Sequence, residues 1–461
     1  MIDNAVAAAE TALETYSELP PVKIAGFLER IADEIVALDD ALIATAMAET
    51  ALTTDRLSGE RMRTVNQLRL FADVARKGEW KDVRVDAALP DRKPMRRPDL
   101  RRTLMPIGPV AVWAASNFPL AFSVAGGDTA SALAAGCPVI LKAHPGHPRT
   151  SALVASAIAR AVEACALPPG VFSLIEGANP KVSLELVRHS GVKAGAFTGS
   201  LRAGRALFDA AAARPEPIPF FAEMGSANPV FLLAEALAQR GDAIAEGLAQ
   251  SVNLGVGQFC TCPGLVVGIA SRALDRLSEK LRVLFAHTRE GTMLTPGIAA
   301  AYCDALAHIA KIDGIQVTSG EGKGAVATLF ETSAPTFLRN PELRHEVFGP
   351  STILIRCDSH AEVEKVARSL EGSLTATLHG TEADLRAHPA LLKILTRKAG
   401  RMIFNGFPTG VEVCAAMHHG GPYPSTTDPR FTSVGTAAIV RFARPICYQD
   451  FPAEFLPSEL R

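Results

Sequence analysis

The sequence lacks an excess of charge of either sign. Its 47 lysine and arginine residues almost balance its 48 aspartate and glutamate residues, and the formal net charge is −1. A protein without a basic field has no general electrostatic attraction for nucleic acid or for an anionic membrane surface. We therefore expect neither nucleic acid nor a membrane among the partners of this chain.

A long, unbroken hydrophobic run is also missing. Residues 103–127 contain no charged side chain, but Pro106, Pro109 and Pro119 interrupt the segment. A membrane-spanning helix needs about 20 consecutive apolar residues, and proline breaks a helix interior. We interpret the segment as buried strands, a turn and a helix.

The chain has neither a basic N-terminal segment nor a regular cysteine pattern. Its first residues carry Asp3, Glu10 and Glu14 without lysine or arginine, which is not typical of a secretory signal. The 8 cysteines are scattered, and Cys260 and Cys262 are too close together for ordinary zinc pairing. We expect free thiols, a reducing cytoplasmic location and no bound metal.

The pattern of apolar residues predicts an α/β protein. A chain of 461 residues exceeds one ordinary hydrophobic core, so two or more domains are expected. Residues 1–80 have the three- and four-residue apolar spacing of helices. From residue 107 onwards, short β-rich runs alternate with alanine-rich helical stretches, and a second such series follows Asn228. The alternation predicts mostly parallel sheets, and one further strand is expected over Thr436–Phe442.

The segment from Val83 to Met105 does not follow this alternation. It is rich in arginine, proline and aspartate. Composition is compatible with a linker and equally with an extended polar arm.

Three polar residues stand close to the ends of predicted elements, where α/β proteins place reacting groups. Cys260 ends Gly257-Gln258-Phe259-Cys260 after a predicted helix, so a glycine-containing turn could offer its thiol nearby backbone donors. Glu223 follows the β-rich run 218–222 as a candidate general base. Asn117 follows another run as a candidate oxyanion donor. Taken singly, each also fits a structural role.

Together these motifs resemble those of the aldehyde dehydrogenase superfamily, in order and spacing, over residues ~20 to ~440. The resemblance implies that Cys260 is the nucleophile, Glu223 the general base and Asn117 the oxyanion donor. The segments Phe197–Ser200 and Glu346–Pro350 resemble cofactor-binding elements, although no G-x-G-x-x-G fingerprint is present. The residues that the resemblance assigns to NADP or NAD binding are Lys142, Gly199, Ser200, Glu346 and Phe348.

The same resemblance implies a fold of two parallel-sheet Rossmann-type domains with a small oligomerisation arm. The implied cofactor-binding domain covers residues 1–82 and 106–223, and the catalytic domain covers 224–434. The arm is then formed by 83–105 and 435–461. Members of the superfamily pair through such an arm, so a homodimer or homotetramer is expected.

The tail of the chain is similar to a narrower branch of the superfamily. Asn405–Val413 and His419–Pro424 resemble segments of 2-oxoglutarate semialdehyde (2,5-dioxovalerate) dehydrogenases, a branch shared with NADP-preferring fatty aldehyde dehydrogenases. The implied reaction oxidises 2-oxoglutarate semialdehyde to 2-oxoglutarate through a cysteine thioester. Such a substrate needs a cationic anchor, for which Arg430 is the candidate. His419 is a candidate for proton movement near the thiol, whereas His418 is assigned no role.

Three alternatives remain open at this stage. They are a fatty aldehyde substrate, transfer of the acyl group to coenzyme A, and an inactive relative that serves as a binding protein. The presence of Glu223 argues against the second, and the presence of Cys260 and Asn117 argues against the third.

Two departures from the superfamily pattern bear on the site. The position three residues after Lys142, commonly acidic, is Pro145, which removes a carboxylate that would repel a ribose 2′-phosphate. NADP is therefore favoured over NAD. The segment after Glu223 reads Met-Gly-Ser-Ala-Asn instead of the usual Leu-Gly-Gly-Lys form, and the sequence offers no physical reason for the change.

Overall fold

The computed structural model describes all residues 1–461. The α-helices, in chain order, are α1 Ile2–Tyr16, α2 Pro21–Val36, α3 Asp39–Thr50, α4 Thr54–Lys77, α5 Gly127–Ala134, α6 Pro148–Ala164, α7 Pro180–Arg188, α8 Leu201–Ala212, α9 Ala234–Asn253, α10 Arg272–Ala286, α11 Pro296–Ile309, α12 Ala334–Arg339, α13 His360–Ser369, α14 Glu382–Ala387 and α15 Pro389–Leu395. The strands are β1 Arg84–Asp86, β2 Leu100–Pro106, β3 Val110–Trp113, β4 Val139–Lys142, β5 Phe172–Ile175, β6 Ala194–Thr198, β7 Phe220–Glu223, β8 Val230–Leu232, β9 Leu265–Ile269, β10 Gln316–Ser319, β11 Thr328–Ser333, β12 Ser351–Cys357, β13 Ser373–His379, β14 Ala399–Phe404 and β15 Ala443–Gln449.

The first α/β series forms a 5-stranded parallel sheet in the order β5-β4-β3-β6-β7. Buried residues of α2, α4, α5 and α6 cover one face, and residues of α1, α7 and α8 cover the other. Covering on both faces explains why the strands are almost continuously apolar. The parallel-sheet prediction is therefore confirmed here.

The second series forms a 7-stranded sheet in the order β10-β11-β12-β9-β8-β13-β14. All of its neighbouring strands are parallel except β10 and β11. Two hydrophobic clusters lie on its two faces, one including Phe337 and Leu395 and the other including Leu248 and Phe285. The α/β fold class is thus the same in both halves of the chain.

A separate 3-stranded antiparallel sheet joins distant parts of the chain in the order β1-β2-β15. A further bridge pairs Leu89 with Arg97 between β1 and β2. The segment 83–105 is therefore an extended arm and not an unstructured linker.

The prediction of a strand over Thr436–Phe442 is wrong. These residues form a 3₁₀ helix, and strand β15 begins at the next residue. Ala438, Ile439 and Phe442 are buried together, a helical and not an alternating spacing. The Arg441 guanidinium is buried as well and forms a 2.7 Å ion pair with Asp128. Packing against α5 determines the local conformation.

No helix of this chain combines the length and the apolar composition that a transmembrane segment requires.

Candidate active site

The carboxyl ends of the parallel strands β3, β4, β6 and β7 meet at one edge of the first sheet. Trp113 pairs with Lys142 and with Phe197, and Thr198 pairs with Glu223, so these strands end in register. The Asn117 loop, Lys142, the Gly199 turn and Glu223 therefore follow strand ends at a common edge. Open α/β sheets bind ligands at such an edge.

A glycine-dependent turn places Cys260 against this edge. Helix α9 leads into a 3₁₀ helix, Leu254–Gly257, and Gly257 has a φ of +64°. A β-carbon at Gly257 would lie 2.2 Å from the carbonyl carbon of Gly349. Glycine is required both by the backbone angle and by this close approach. The contact joins the cysteine turn to the Glu346–Pro350 segment.

Asn228 holds the backbone on the other side of Cys260. Its side-chain nitrogen donates to the carbonyl oxygens of Cys260, at 2.8 Å, and Cys262, at 3.0 Å. Its side-chain oxygen accepts hydrogen bonds from the hydroxyls of Ser226 and Thr375. This role of Asn228 was not predicted from the sequence. The signal was the unusual Met-Gly-Ser-Ala-Asn segment, because its serine and asparagine form this buried network.

Cys260, Glu223 and His419 meet in the interior. The Nε2 atom of His419 lies 3.0 Å from Oε1 of Glu223 and 3.4 Å from Sγ of Cys260. The second oxygen of Glu223 accepts a hydrogen bond from the Ser433 hydroxyl. Glu223 and His419 are both buried, and Cys260 is half-buried. The three ligand atoms lie within 4.8 Å of one another, which would also suit a metal ion, so metal-free chemistry stays a prediction.

Electrostatics set the protonation of this cluster. Burial and the negative charge of Glu223 raise the pKa of the Cys260 thiol well above its ordinary value. Burial also acts to raise the pKa of Glu223, but His419 and the hydrogen bond from Ser433 outweigh it and lower the pKa below the usual value. The arrangement therefore combines an ionised carboxylate with a protonated thiol beside an imidazole.

Asn117 lies beside the nucleophile turn. Its amide nitrogen donates to the carbonyl oxygen of Gln258 at 3.0 Å. The following loop is fixed from α4, because Glu60 accepts hydrogen bonds from the backbone nitrogens of Leu120 and Ala121, each at 2.9 Å. The structure thus brings Cys260, Glu223, Asn117 and His419 to one place.

Comparisons with known proteins identify the family of this chain. The sequence profile described as the aldehyde dehydrogenase family matches residues 1–442. The chain belongs to the aldehyde dehydrogenase family. It is an oxidoreductase of the NAD(P)-dependent class.

Two curated relatives of this aldehyde dehydrogenase match along its whole length. The α-ketoglutaric semialdehyde dehydrogenase 2 of Azospirillum brasilense is 52% identical, and the alignment covers 100% of this chain and 89% of the relative. The α-ketoglutaric semialdehyde dehydrogenase of Acinetobacter baylyi is 46% identical, with 100% and 88% covered.

Solved structures match the fold as well. A 3,6-anhydro-L-galactose dehydrogenase in complex with NADP has a TM-score of 0.82 at 21% identity, with 97% of this chain and 91% of that chain covered. Aldehyde dehydrogenase 21 of Physcomitrella patens, in complex with succinate, has a TM-score of 0.80 at 21% identity, with 99% and 91% covered. At this identity the likeness concerns the fold alone.

The residues assigned to the cofactor in this aldehyde dehydrogenase fit a dinucleotide. Ser200 caps helix α8 by accepting a hydrogen bond from the backbone nitrogen of Ala203, and a helix N-terminus suits a pyrophosphate. The buried hydroxyl of Thr198 has no partner. The Lys142 ammonium bonds only to the Ala143 carbonyl, and burial lowers its pKa. The Thr198 hydroxyl and the Lys142 ammonium therefore have hydrogen-bonding capacity left for a nucleotide. Gly199 packs against the Phe197 ring, where a β-carbon would lie 2.6 Å from a ring atom.

Glu346 and Phe348 lie on the Cys260 side of the proposed cofactor site. Both are half-buried in the segment after a 3₁₀ helix, Pro341–Arg344. A β-carbon at Gly225 would lie 2.5 Å from Oε2 of Glu346, so this glycine allows the carboxyl group to approach. Burial raises the pKa of Glu346 to about 7.

Arg430, the sequence-based candidate for a substrate anchor, is placed differently. Its side chain is 80% exposed and is held by Asp428, with Nε 2.9 Å from Oδ1. An exposed guanidinium that already has a carboxylate partner gives no support to a buried anchor. His418 is half-buried beside His419, and burial lowers its pKa.

Proposed function

We propose that this enzyme oxidises 2-oxoglutarate semialdehyde to 2-oxoglutarate through a thioester on Cys260. The observation that carries the chemistry is the buried contact of Cys260 with His419 and Glu223, with Asn117 beside the same turn. The two relatives named for α-ketoglutaric semialdehyde, matched over the whole chain, support the substrate.

In the first half of the reaction, the Cys260 sulfur attacks the aldehyde carbon and its proton passes to the His419–Glu223 pair. Nε2 of His419 relays this proton, because it lies 3.0 Å from the Glu223 carboxylate and 3.4 Å from the sulfur. It gives its own hydrogen to the carboxylate as it takes the hydrogen of the thiol, and Glu223 returns the proton to solvent before hydrolysis. The Asn117 amide, which has one N–H left beyond its bond to Gln258, donates to the developing oxyanion. A nicotinamide cofactor held by Lys142, Ser200 and Glu346 would supply the hydride acceptor through which the enzyme-bound adduct becomes a thioester.

In the second half, Glu223 takes a proton from a water molecule that attacks the thioester. A carboxylate whose pKa is held low by His419 and Ser433 is ionised at neutral pH and available as a base. Hydrolysis releases the carboxylate product and the free thiol.

For the cofactor, we propose a preference for NADP over NAD. Lys142 ends β4, and Pro145 is exposed in the turn before α6. Proline at this position offers no carboxylate, so a 2′-phosphate meets no like charge there.

For assembly, we propose a homodimer or homotetramer formed through the β1-β2-β15 sheet. Strand β15 is at the edge of this sheet and has only one neighbour. The arm and the residues after β15 expose several large apolar side chains. These are Val85, Leu89, Met95, Phe451 and Phe455. An exposed strand edge next to apolar side chains is a surface that a second copy can cover.

A cytoplasmic location is proposed from the 8 free cysteines alone.

An aldehyde panel tests this function. We expect kcat/KM for 2-oxoglutarate semialdehyde to exceed that for hexanal and decanal by more than about tenfold, with either cofactor. Values that rise with alkyl chain length would instead identify a fatty aldehyde dehydrogenase. Formation of acyl-coenzyme A on addition of coenzyme A would replace hydrolysis with thioester transfer, and no turnover with any aldehyde would point to a binding protein.

A further inference from the structure

Arg63 on α4 is a cation without a partner. Its side chain forms no hydrogen bond and no ion pair, although its Nε and Nη2 atoms are both buried. The neighbouring Arg56 differs, because it is paired with Glu60 at 2.5 Å. A buried guanidinium without an acceptor is costly to a protein, so such a group calls for an explanation, and a bound ligand is one that fits its position here.

The guanidinium lies over the aromatic wall next to the nucleophile. Its central carbon is 5.5 Å from the centre of the Phe118 ring and 5.2 Å from that of Phe122. The Phe118 ring in turn contacts the ring of Phe259, the residue before Cys260, at 5.4 Å. Burial lowers the pKa of Arg63, whereas the nearby carboxylates of Glu60 and, less strongly, Glu223 act to raise it. One aromatic ring, that of Phe118, therefore lies between the Arg63 guanidinium and the residue that precedes Cys260.

The two unpartnered nitrogen atoms of Arg63, Nε and Nη2, define the hydrogen-bonding geometry that a ligand must match. Nε–H and one N–H of Nη2 point in parallel from the same edge of a guanidinium, which matches the two oxygens of a carboxylate. Arg401, whose charge also acts on Cys260, does not offer this edge, because its Nη1 and Nη2 atoms are bonded to the carbonyl oxygens of Gly410 and Pro408.

We propose that Arg63, and not Arg430, binds the carboxylate at the far end of the substrate through its Nε and Nη2 atoms. The inference rests on the proposed function for the identity of the aldehyde. It extends that function because Arg63, on α4, becomes the residue that selects aldehydes with a carboxylate at the far end. Phe118 and Phe122 hold the guanidinium plane, and the aldehyde end reaches Cys260.

Arg63→Met tests the assignment, with Arg63→Lys as the conservative variant. We expect Arg63→Met to lower kcat/KM for 2-oxoglutarate semialdehyde about tenfold or more, mainly through KM, and to leave that for pentanal within about twofold. Lysine keeps the positive charge but cannot form two parallel hydrogen bonds to a carboxylate. Arg63→Lys should therefore recover only part of the lost kcat/KM. Arg69→Met, an exposed arginine of the same helix paired with Asp33, and Arg430→Met are the controls and should change neither value.

Thermal unfolding separates binding from structure. Removing an unpaired buried charge should leave the Tm of Arg63→Met unchanged or higher, whereas loss of a structural arginine would lower it. An equal loss of activity toward 2-oxoglutarate semialdehyde and pentanal, together with a lower Tm, would overturn the assignment.

Binding of the product gives a readout that does not depend on the proposed substrate. We expect 2-oxoglutarate to raise the Tm of the wild-type enzyme and of Arg69→Met but not of Arg63→Met. If wild type shows no preference for the semialdehyde over pentanal, the proposed substrate is wrong, and this shift still decides whether Arg63 holds a carboxylate. An unchanged shift in Arg63→Met would refute the role of Arg63 even where the substrate is right.

Discussion

At Cys260, the surroundings work against ionisation of the thiol. Burial and the charge of Glu223 raise its pKa, so the sulfur is protonated at neutral pH in the protein alone. The neighbouring imidazole at 3.4 Å is then the means of removing the proton during attack. Reactivity here depends on a neighbouring base and not on a low thiol pKa.

His419 has a measurable effect on the pH profile of the reaction. Its removal in His419→Ala takes away the interaction that most lowers the pKa of Glu223, while burial continues to raise it. The Glu223 pKa must therefore rise, and the acidic limb of the kcat profile should move to higher pH. We expect a loss of about tenfold or more at pH 6, with partial recovery above pH 8. A parallel drop at every pH would contradict this account, and His419→Gln, which keeps a hydrogen bond, is the matched variant.

Sequence motifs predicted the residues of the reacting cluster but not those that surround it. Cys260, Glu223 and Asn117 were predicted because each lies in a short segment of the family pattern. Asn228 and Arg63 were not, since their roles depend on contacts made by packing. An arginine on a polar helix is ordinarily a solvated residue, so the buried edge of Arg63 has no signature in the sequence.

At the scale of elements, hydrophobic patterning predicted the α/β alternation because each parallel strand is covered on both faces. It was wrong at Thr436–Phe442, where contacts with α5 and the Arg441–Asp128 pair favour a 3₁₀ helix. A glycine-containing turn at Gly257 was predicted beside Cys260. The reason why the turn needs glycine, the close approach of Gly349, joins segments far apart in the sequence. Local pattern does not contain such long-range contacts.

The turn between β4 and α6 carries the cofactor prediction. Pro145→Glu places a carboxylate three residues after Lys142, where it would repel a 2′-phosphate. We expect the ratio of kcat/KM for NADP over NAD to fall by about tenfold or more in this variant. Pro145→Gln, without the charge, is the control and should change the ratio much less. A strong preference of wild type for NAD, unchanged in Pro145→Glu, would show that the turn does not contact the ribose.

At the scale of the whole molecule, the β1-β2-β15 sheet is the feature that most favours an oligomer over a monomer. Strands β2 and β15 come from distant segments of the chain, as in the pairing of Cys447 with Arg102, and β15 keeps one open edge. A 3-stranded sheet with exposed apolar neighbours gains stability when a second copy covers it.

Light scattering of the purified chain, which measures its mass in solution, tests this assembly. At micromolar concentration we expect the mass of a dimer or tetramer, and replacing Phe451 and Phe455 by serine should shift the population toward monomer. Ser substitution of Phe404, an exposed aromatic residue outside the arm, is the control. If the unmodified protein is a monomer, the assembly proposal is refuted, whereas the proposed reaction mechanism is unaffected.

The most direct test of the central claim is the acyl-enzyme itself. Glu223→Gln removes the base for hydrolysis but leaves Cys260 and Asn117, so mixing this variant with cofactor and 2-oxoglutarate semialdehyde should trap the thioester. Intact mass spectrometry after a rapid acid quench should show one added acyl group, located on Cys260 by digestion. Cys262→Ala introduced into Glu223→Gln should retain the adduct and Cys260→Ala should abolish it. An adduct that survives Cys260→Ala, or wild-type turnover in Glu223→Gln without any adduct, would contradict the account.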